Sequence, residues 1–153
     1  MKKVILFFMS IVFLACTSTK NLEAEKALNY DKMIVNYSSN GCFHHINYQF
    51  SFVKNKVLVS EQVARWKQDA DNKNTFNELG SLTLSDLDMK RLDNLLAFYK
   101  TNKETGCTTH NEIAYKYFKA GKLIKSTEYW DSSCTHDTSL LTFPKLAHRL
   151  KNK

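Results

Sequence analysis

The sequence predicts an α+β domain in the order β-β-α-β-β: an antiparallel sheet with one amphipathic helix packed on one face and a short helix near the C-terminus. Three observations carry that expectation. CFHHINYQFSFV, from Cys42 to Val53, alternates apolar and polar residues. Ser85 and Asp88 form a capping box ahead of leucines at helical spacing. Ala120-Gly121 divides two further alternating runs. Composition supports one such domain: 43% of the residues are hydrophobic and 24% charged, with one Pro and four Gly, which excludes disordered, collagen-like and repeat architectures.

Taken in order, the first predicted strand puts Cys42, His44, Ile46, Tyr48, Phe50 and Phe52 on one face, and Phe43, His45, Asn47, Gln49 and Ser51 on the other. Lys54-Asn55-Lys56 is a turn, and Val57 to about Trp66 returns as the second strand of a hairpin. A polar stretch, Gln68 to Gly80, follows and reads as a loop. Leu84 and Met89 sit where a hydrophobic staple fixes a helix start, and Leu92, Leu95, Leu96 and Tyr99 form the apolar stripe of a helix reaching Lys100. Thr108 to Lys119 and Lys122 to Ser133 make the second hairpin, with Gly121 where positive φ costs little. Pro144 opens the short C-terminal helix, with Leu146 and Leu150 on one side and Lys145, Arg149 and Lys151 around it.

The N-terminus carries an export pattern. Met1-Lys2-Lys3 is a positive start, and Val4 to Ala15 is an apolar run shorter than the ~20 residues a helix needs to cross a bilayer. The run ends in Phe13-Leu14-Ala15-Cys16, which resembles the lipobox of bacterial lipoproteins, with Phe13 where Leu is usual; cleavage by an ordinary signal peptidase near Ser18 is the alternative. The resemblance covers residues 1–16. It implies a signal peptide over 1–15, diacylglycerol and further acylation (palmitate among the acyl chains) on Cys16, and stable attachment to a membrane of the cell envelope, because two or more chains anchor where one binds only marginally. Residues 16–32 then form the lipidated N-terminus and tether, and 33–153 the single domain, in the periplasm or at the cell surface.

Cysteine positions add a second expectation. With Ala120-Gly121 as a two-residue turn, Lys119 faces Lys122, and the same register sets Cys107 opposite Cys134; a bulge would shift it by one residue. In an oxidising compartment this predicts a Cys107–Cys134 disulfide, contributing on the order of 3 kcal/mol in the loop-entropy model. Cys42 is left as a buried free thiol. The same register sets His110 opposite Asp131.

Each of these cysteines is followed closely by histidine, so Cys42, His44, His110 and His136 define the alternative of an envelope metal-binding or thiol-dependent protein. Spacing weighs against it. Cys107 and His110 are three apart and point to opposite faces of a strand, no Cys-x-x-Cys or His-Glu-x-x-His occurs, and the disulfide would remove two ligands. No metal or other cofactor is therefore expected. Phosphate-binding glycine loops and serine-hydrolase elbows are absent, and Asp69 to Glu78 fails as a calcium loop because Lys73 and Asn74 stand where an oxygen ligand and the turn Gly belong. The formal charge of +7 includes Lys2 and Lys3 and is otherwise diffuse, which suits solubility or anionic headgroups better than nucleic acid.

The functional expectation is a non-enzymatic envelope lipoprotein whose domain binds a protein or envelope component, in the manner of an inhibitor or immunity module. Contact is expected through the sheet face away from the helix or through the 68–80 loop, where Phe76 is flanked by Asp69, Asp71 and Glu78. The plainer reading of Phe76 is an aromatic tucked onto the core.

Overall fold

The computed structural model describes residues 28–41, 44–63, 75–101, 106, 108–132 and 141–152. Six strands, β1 (Lys32–Gly41), β2 (His44–Val53), β3 (Lys56–Gln62), β4 (Phe76–Thr83), β5 (His110–Lys119) and β6 (Lys122–Asp131), form one antiparallel sheet in the order β4-β3-β2-β1-β5-β6. Two helices complete the described fold: α1 (Asp86–Thr101) between β4 and β5, and α2 (Phe143–Lys151) after β6. The broad class holds, a mostly β domain with helices. The order β-β-α-β-β does not, because two more strands precede α1.

β1 escaped the periodicity reading because its second half, Ser38-Ser39-Asn40-Gly41, has no apolar residue to alternate, although Ser39 is only 6% exposed. β1 is nonetheless central, pairing with β2 on one side and β5 on the other. β4 corrects the reading of 68–80 as loop throughout, since residues 76–80 are strand paired with β3. Its alternation is broken by a bulge: Val59 faces Gly80 and Ser60 faces Glu78, leaving Leu79 as the extra residue packed toward the core.

One side of the sheet is the core. Val35 and Tyr37 of β1, Phe50 and Phe52 of β2, Val57 and Val59 of β3, and Ile113, Tyr115 and Tyr117 of β5 are all buried there. α1 adds Leu95 and Tyr99, and α2 adds Phe143, Leu146 and Ala147. Phe143 is the hub: its ring lies 4.9 Å from Phe50, 5.8 Å from Tyr37 and 6.2 Å from Tyr115. Burying such side chains stabilises by about 2–3 kcal/mol each.

The helix starts follow the sequence. Asp88 N–H donates to Ser85 Oγ at 3.2 Å and Ser85 N–H to Asp88 Oδ2 at 3.4 Å, closing the capping box, while Leu84 is buried at 2% exposure. Asn55 in the β2–β3 turn holds this start, its carbonyl accepting from Leu84 N–H at 2.8 Å. Thr142 caps α2, and Arg149 ties the helices together with a forked pair onto Asp88 at 3.0 and 3.1 Å. Lys151 reaches Glu61 of β3 at 2.8 Å.

The β5–β6 turn is the predicted two-residue one, Ala120 at φ 47° and Gly121 at φ 76°, with Lys119 facing Lys122. Two pairs further on the register shifts, because Phe118 faces Leu123 whereas Tyr117 faces Lys125. Ile124 is the extra residue. His110 therefore does not face Asp131: Asn111 does, donating from Nδ2 to Asp131 Oδ2 at 3.3 Å and accepting from the Tyr37 hydroxyl at 2.9 Å. Cys16, Cys42, Cys107, Cys134 and His136 lie outside the described residues, as do Asp69 and Asp71. Among the described residues no helix is long and apolar enough to cross a membrane.

Candidate binding face

The pleat sends every second residue away from the helices; the middle positions of β3, β2 and β1 on this side are amides and hydroxyls, whereas β5 sends out His110, Glu112, Ala114, Lys116 and Phe118. The pairings align them into rows across the sheet. In one row Phe76 of β4 faces Gln62 of β3, Asn47 of β2 faces Ser38 of β1, and Ser38 faces Glu112 of β5, which faces Trp130 of β6. The Asn47 side chain joins the two halves, donating from Nδ2 to Gln62 Oε1. In the next row Ser60, Gln49, Asn36 and Ala114 follow one another between Glu78 and Glu128 on the edge strands.

Hydrogen bonds fix these side chains along and across the strands. Gln49 Nε2 donates to Asn36 Oδ1 at 3.1 Å, and Asn40 Nδ2 to Ser38 Oγ at 3.1 Å. His45 completes the ladder through both ring nitrogens: Nδ1 meets Asn40 Oδ1, and Nε2 lies 3.1 Å from Asn47 Nδ2. Asn47 Oδ1 itself is buried without a hydrogen-bond partner among the described residues, a polar cost retained in the middle of the row.

Trp130 is the most exposed large apolar side chain of the described surface, at 60%, and the His110 ring stacks beside it at 6.0 Å and 27°. It stands outward because of the bulge. A register without the extra Ile124 would set Trp130 opposite Asn111, whose position belongs to the core side, and would turn Asp131 to solvent.

Of the residues singled out in the sequence, Phe76 is the half-buried first residue of β4 and Glu78 an exposed residue of the same strand, both on this outward side. His110 is engaged with Trp130, and His44 pairs with Gly41 at the end of β2. Among the described residues no three His, Cys, Asp or Glu side chains cluster closely enough to hold a metal ion. Trp130, Asn36 and Gln62 were missed as site residues. An aromatic on the solvent side of an edge strand would have marked the first, had the bulge been legible.

Two other features lie on the core side. A cleft of about 350 Å³ opens beneath α1, lined by Met33, Phe52, Leu92, Leu96 and Tyr117 with Asp93 and Lys100 among its walls. At the other end, Tyr37, Asn111 and buried Asp131 form a polar network under the sheet, where burial first of all pushes the Tyr37 hydroxyl above its ordinary range. No family model matches this chain, and no curated protein matches it.

Proposed function

We propose that the chain is a binding module of the bacterial cell envelope, carried on a membrane by lipid at Cys16, whose outward sheet face contacts a protein or another envelope component. The observation that supports it is the division of the sheet: both helices feed one core, and the other side presents ordered amides ending in an exposed tryptophan. Amides, hydroxyls and an indole are recognition groups; they orient and desolvate a partner rather than move protons or form bonds to it. An inhibitor or immunity module would use such a face in the same way, and an exposed Trp is the residue type that most often anchors an interface.

The test is site-specific crosslinking in intact cells. A photoreactive side chain at position 130, and separately at 49, should capture the partner, whereas one at Leu87, exposed on α1 at 56%, should not. Capture from 87 with none from 130 or 49 would move the interface to the helices. Cys16→Ser should abolish acyl labelling and release the chain from membranes; unchanged labelling would remove the anchor.

A further inference from the structure

We propose that the outward face binds a glycan strand, specifically one whose sugars carry hydroxyl and acetamido groups, laid across the strands from β3 toward β6 with one ring on Trp130. This rests on the reading of that face as the contact surface and names its ligand. Along both rows the outward residues of β1, β2 and β3 are neutral, Gln62, Asn47 and Ser38 in one, Ser60, Gln49 and Asn36 in the other, and the charged members are the carboxylates Glu78, Glu112 and Glu128 on β4, β5 and β6, which accept from hydroxyls. A phosphate-bearing ligand would call for cations there. An acidic protein would be repelled by the carboxylates, and a peptide adding a strand would pair with an edge rather than lie on a face.

Neutral amides suit a different chemistry. Each carries two N–H donors and a carbonyl that accepts twice, more than one neighbour uses: Gln49 donates to Asn36 through one N–H. Sugar hydroxyls and acetamides also donate and accept together. The bonds between side chains hold the amides in place beforehand, so little side-chain freedom is lost when a ligand binds.

Trp130 supplies the other half of the recognition. The negative face of an indole attracts the weakly positive C–H groups on one side of a pyranose ring, and the stacked His110 limits how the indole can turn. Phe76 ends the same row on the opposite edge. Five steps between strands at about 4.8 Å separate the two aromatics by about 24 Å, a span that accommodates several sugars in line.

The experiment uses the full chain in detergent with Trp66→Phe, which leaves Trp130 as the remaining one of two tryptophans. The probes are β-1,4-linked N-acetylglucosamine oligomers and protein-free sacculi. We expect a saturable change in indole emission with the oligomers and co-sedimentation with the sacculi. In the chain retaining Trp66, Trp130→Ala should weaken sedimentation at least tenfold, Trp130→Phe should restore much of it, Gln49→Ala should weaken it several-fold, and Leu87→Ala should leave it unchanged, all with unaltered unfolding midpoints. A folded chain that neither sediments nor changes emission up to millimolar oligomer overturns the proposal. If position 130 then still crosslinks to a protease-sensitive species, the ligand is a protein and the contact face stands. If glycan binds equally well to Trp130→Ala, the glycan lies elsewhere and this placement is wrong.

Discussion

The two sides of one sheet are built by different rules. Toward the helices, order comes from volume: Phe50, Val35 and Val59 are fully buried, and Phe143 fills the space between three strands. Away from them, order comes from direction: Asn36, Gln49, Asn47 and Gln62 are held by specific donors and acceptors while remaining half-buried. A packed face resists change in size and a polar face resists change in hydrogen-bonding pattern, so substitutions on the two should separate stability from binding.

The strongest test is Phe143→Ala, which empties the hub of the packed side and should cost about 3–5 kcal/mol in denaturant unfolding. Trp130→Ala, with a larger side chain removed from the other side, should stay within about 0.5 kcal/mol. Equal losses would mean that the outward face is itself a core for something bound to it, and the contrast would collapse.

A smaller effect probes the seam between the β4 bulge and α2. Gly80 has φ 131°, and a Cβ there would meet Leu150 Cδ2 at 3.4 Å. Gly80→Ala should therefore destabilise by about 1–3 kcal/mol, mostly from backbone strain. Thermal unfolding of Gly80→Ala beside Gly106→Ala, at φ 128° and where a Cβ meets nothing within 4 Å, would show how much of that loss the neighbouring helix adds.

Smaller still is the Arg149–Asp88 pair joining the helices, in which the Arg149 side chain is 40% exposed. Arg149→Met should cost about 1 kcal/mol or less because solvent screens it. The Arg149 hydrogen bonds, aided by Ser85, hold the Asp88 carboxyl down at about 2 against the opposing effect of burial. Since folding lowers this pKa, the contribution is complete above the ordinary carboxylate range and disappears as pH falls through about 2. Unfolding midpoints of parent and Arg149→Met should converge in acid and diverge near neutrality; a gap independent of pH would assign the loss to packing of the arginine stem.

The smallest expected effect is Asn47→Ala on stability. It removes hydrogen bonds to Gln62 and His45 but also the unpartnered buried Oδ1, so the change should be about 1 kcal/mol or less, measured by denaturant midpoint.

What was legible in the sequence divides along the same line. β2 and α1 announced themselves because their apolar residues recur with the period of the element, and the capping box and the two-residue turn at Ala120-Gly121 were read from local chemistry. β1 and β4 lacked that signal: the first ends in small polar residues whose burial only the neighbouring strands decide, and the second is thrown out of phase at Leu79. The outward face could not be assembled from sequence, because its rows join residues whose register depends on two bulges and on a strand with no hydrophobic signature.

Both bulges fall at edge pairs, but the one in β6 has an evolutionary reach that its size conceals. Without Ile124 the rest of the strand would pass into the opposite phase, carrying an indole into the interior and a carboxylate out to water. The loss of one codon would thus erase the aromatic platform without altering any residue of it, and in a lineage lacking the platform the gain of one codon could create it. Selection on this surface can therefore act through chain length as well as side-chain identity, and insertions or deletions in β6 carry consequences that a substitution scan of the same strand would never sample.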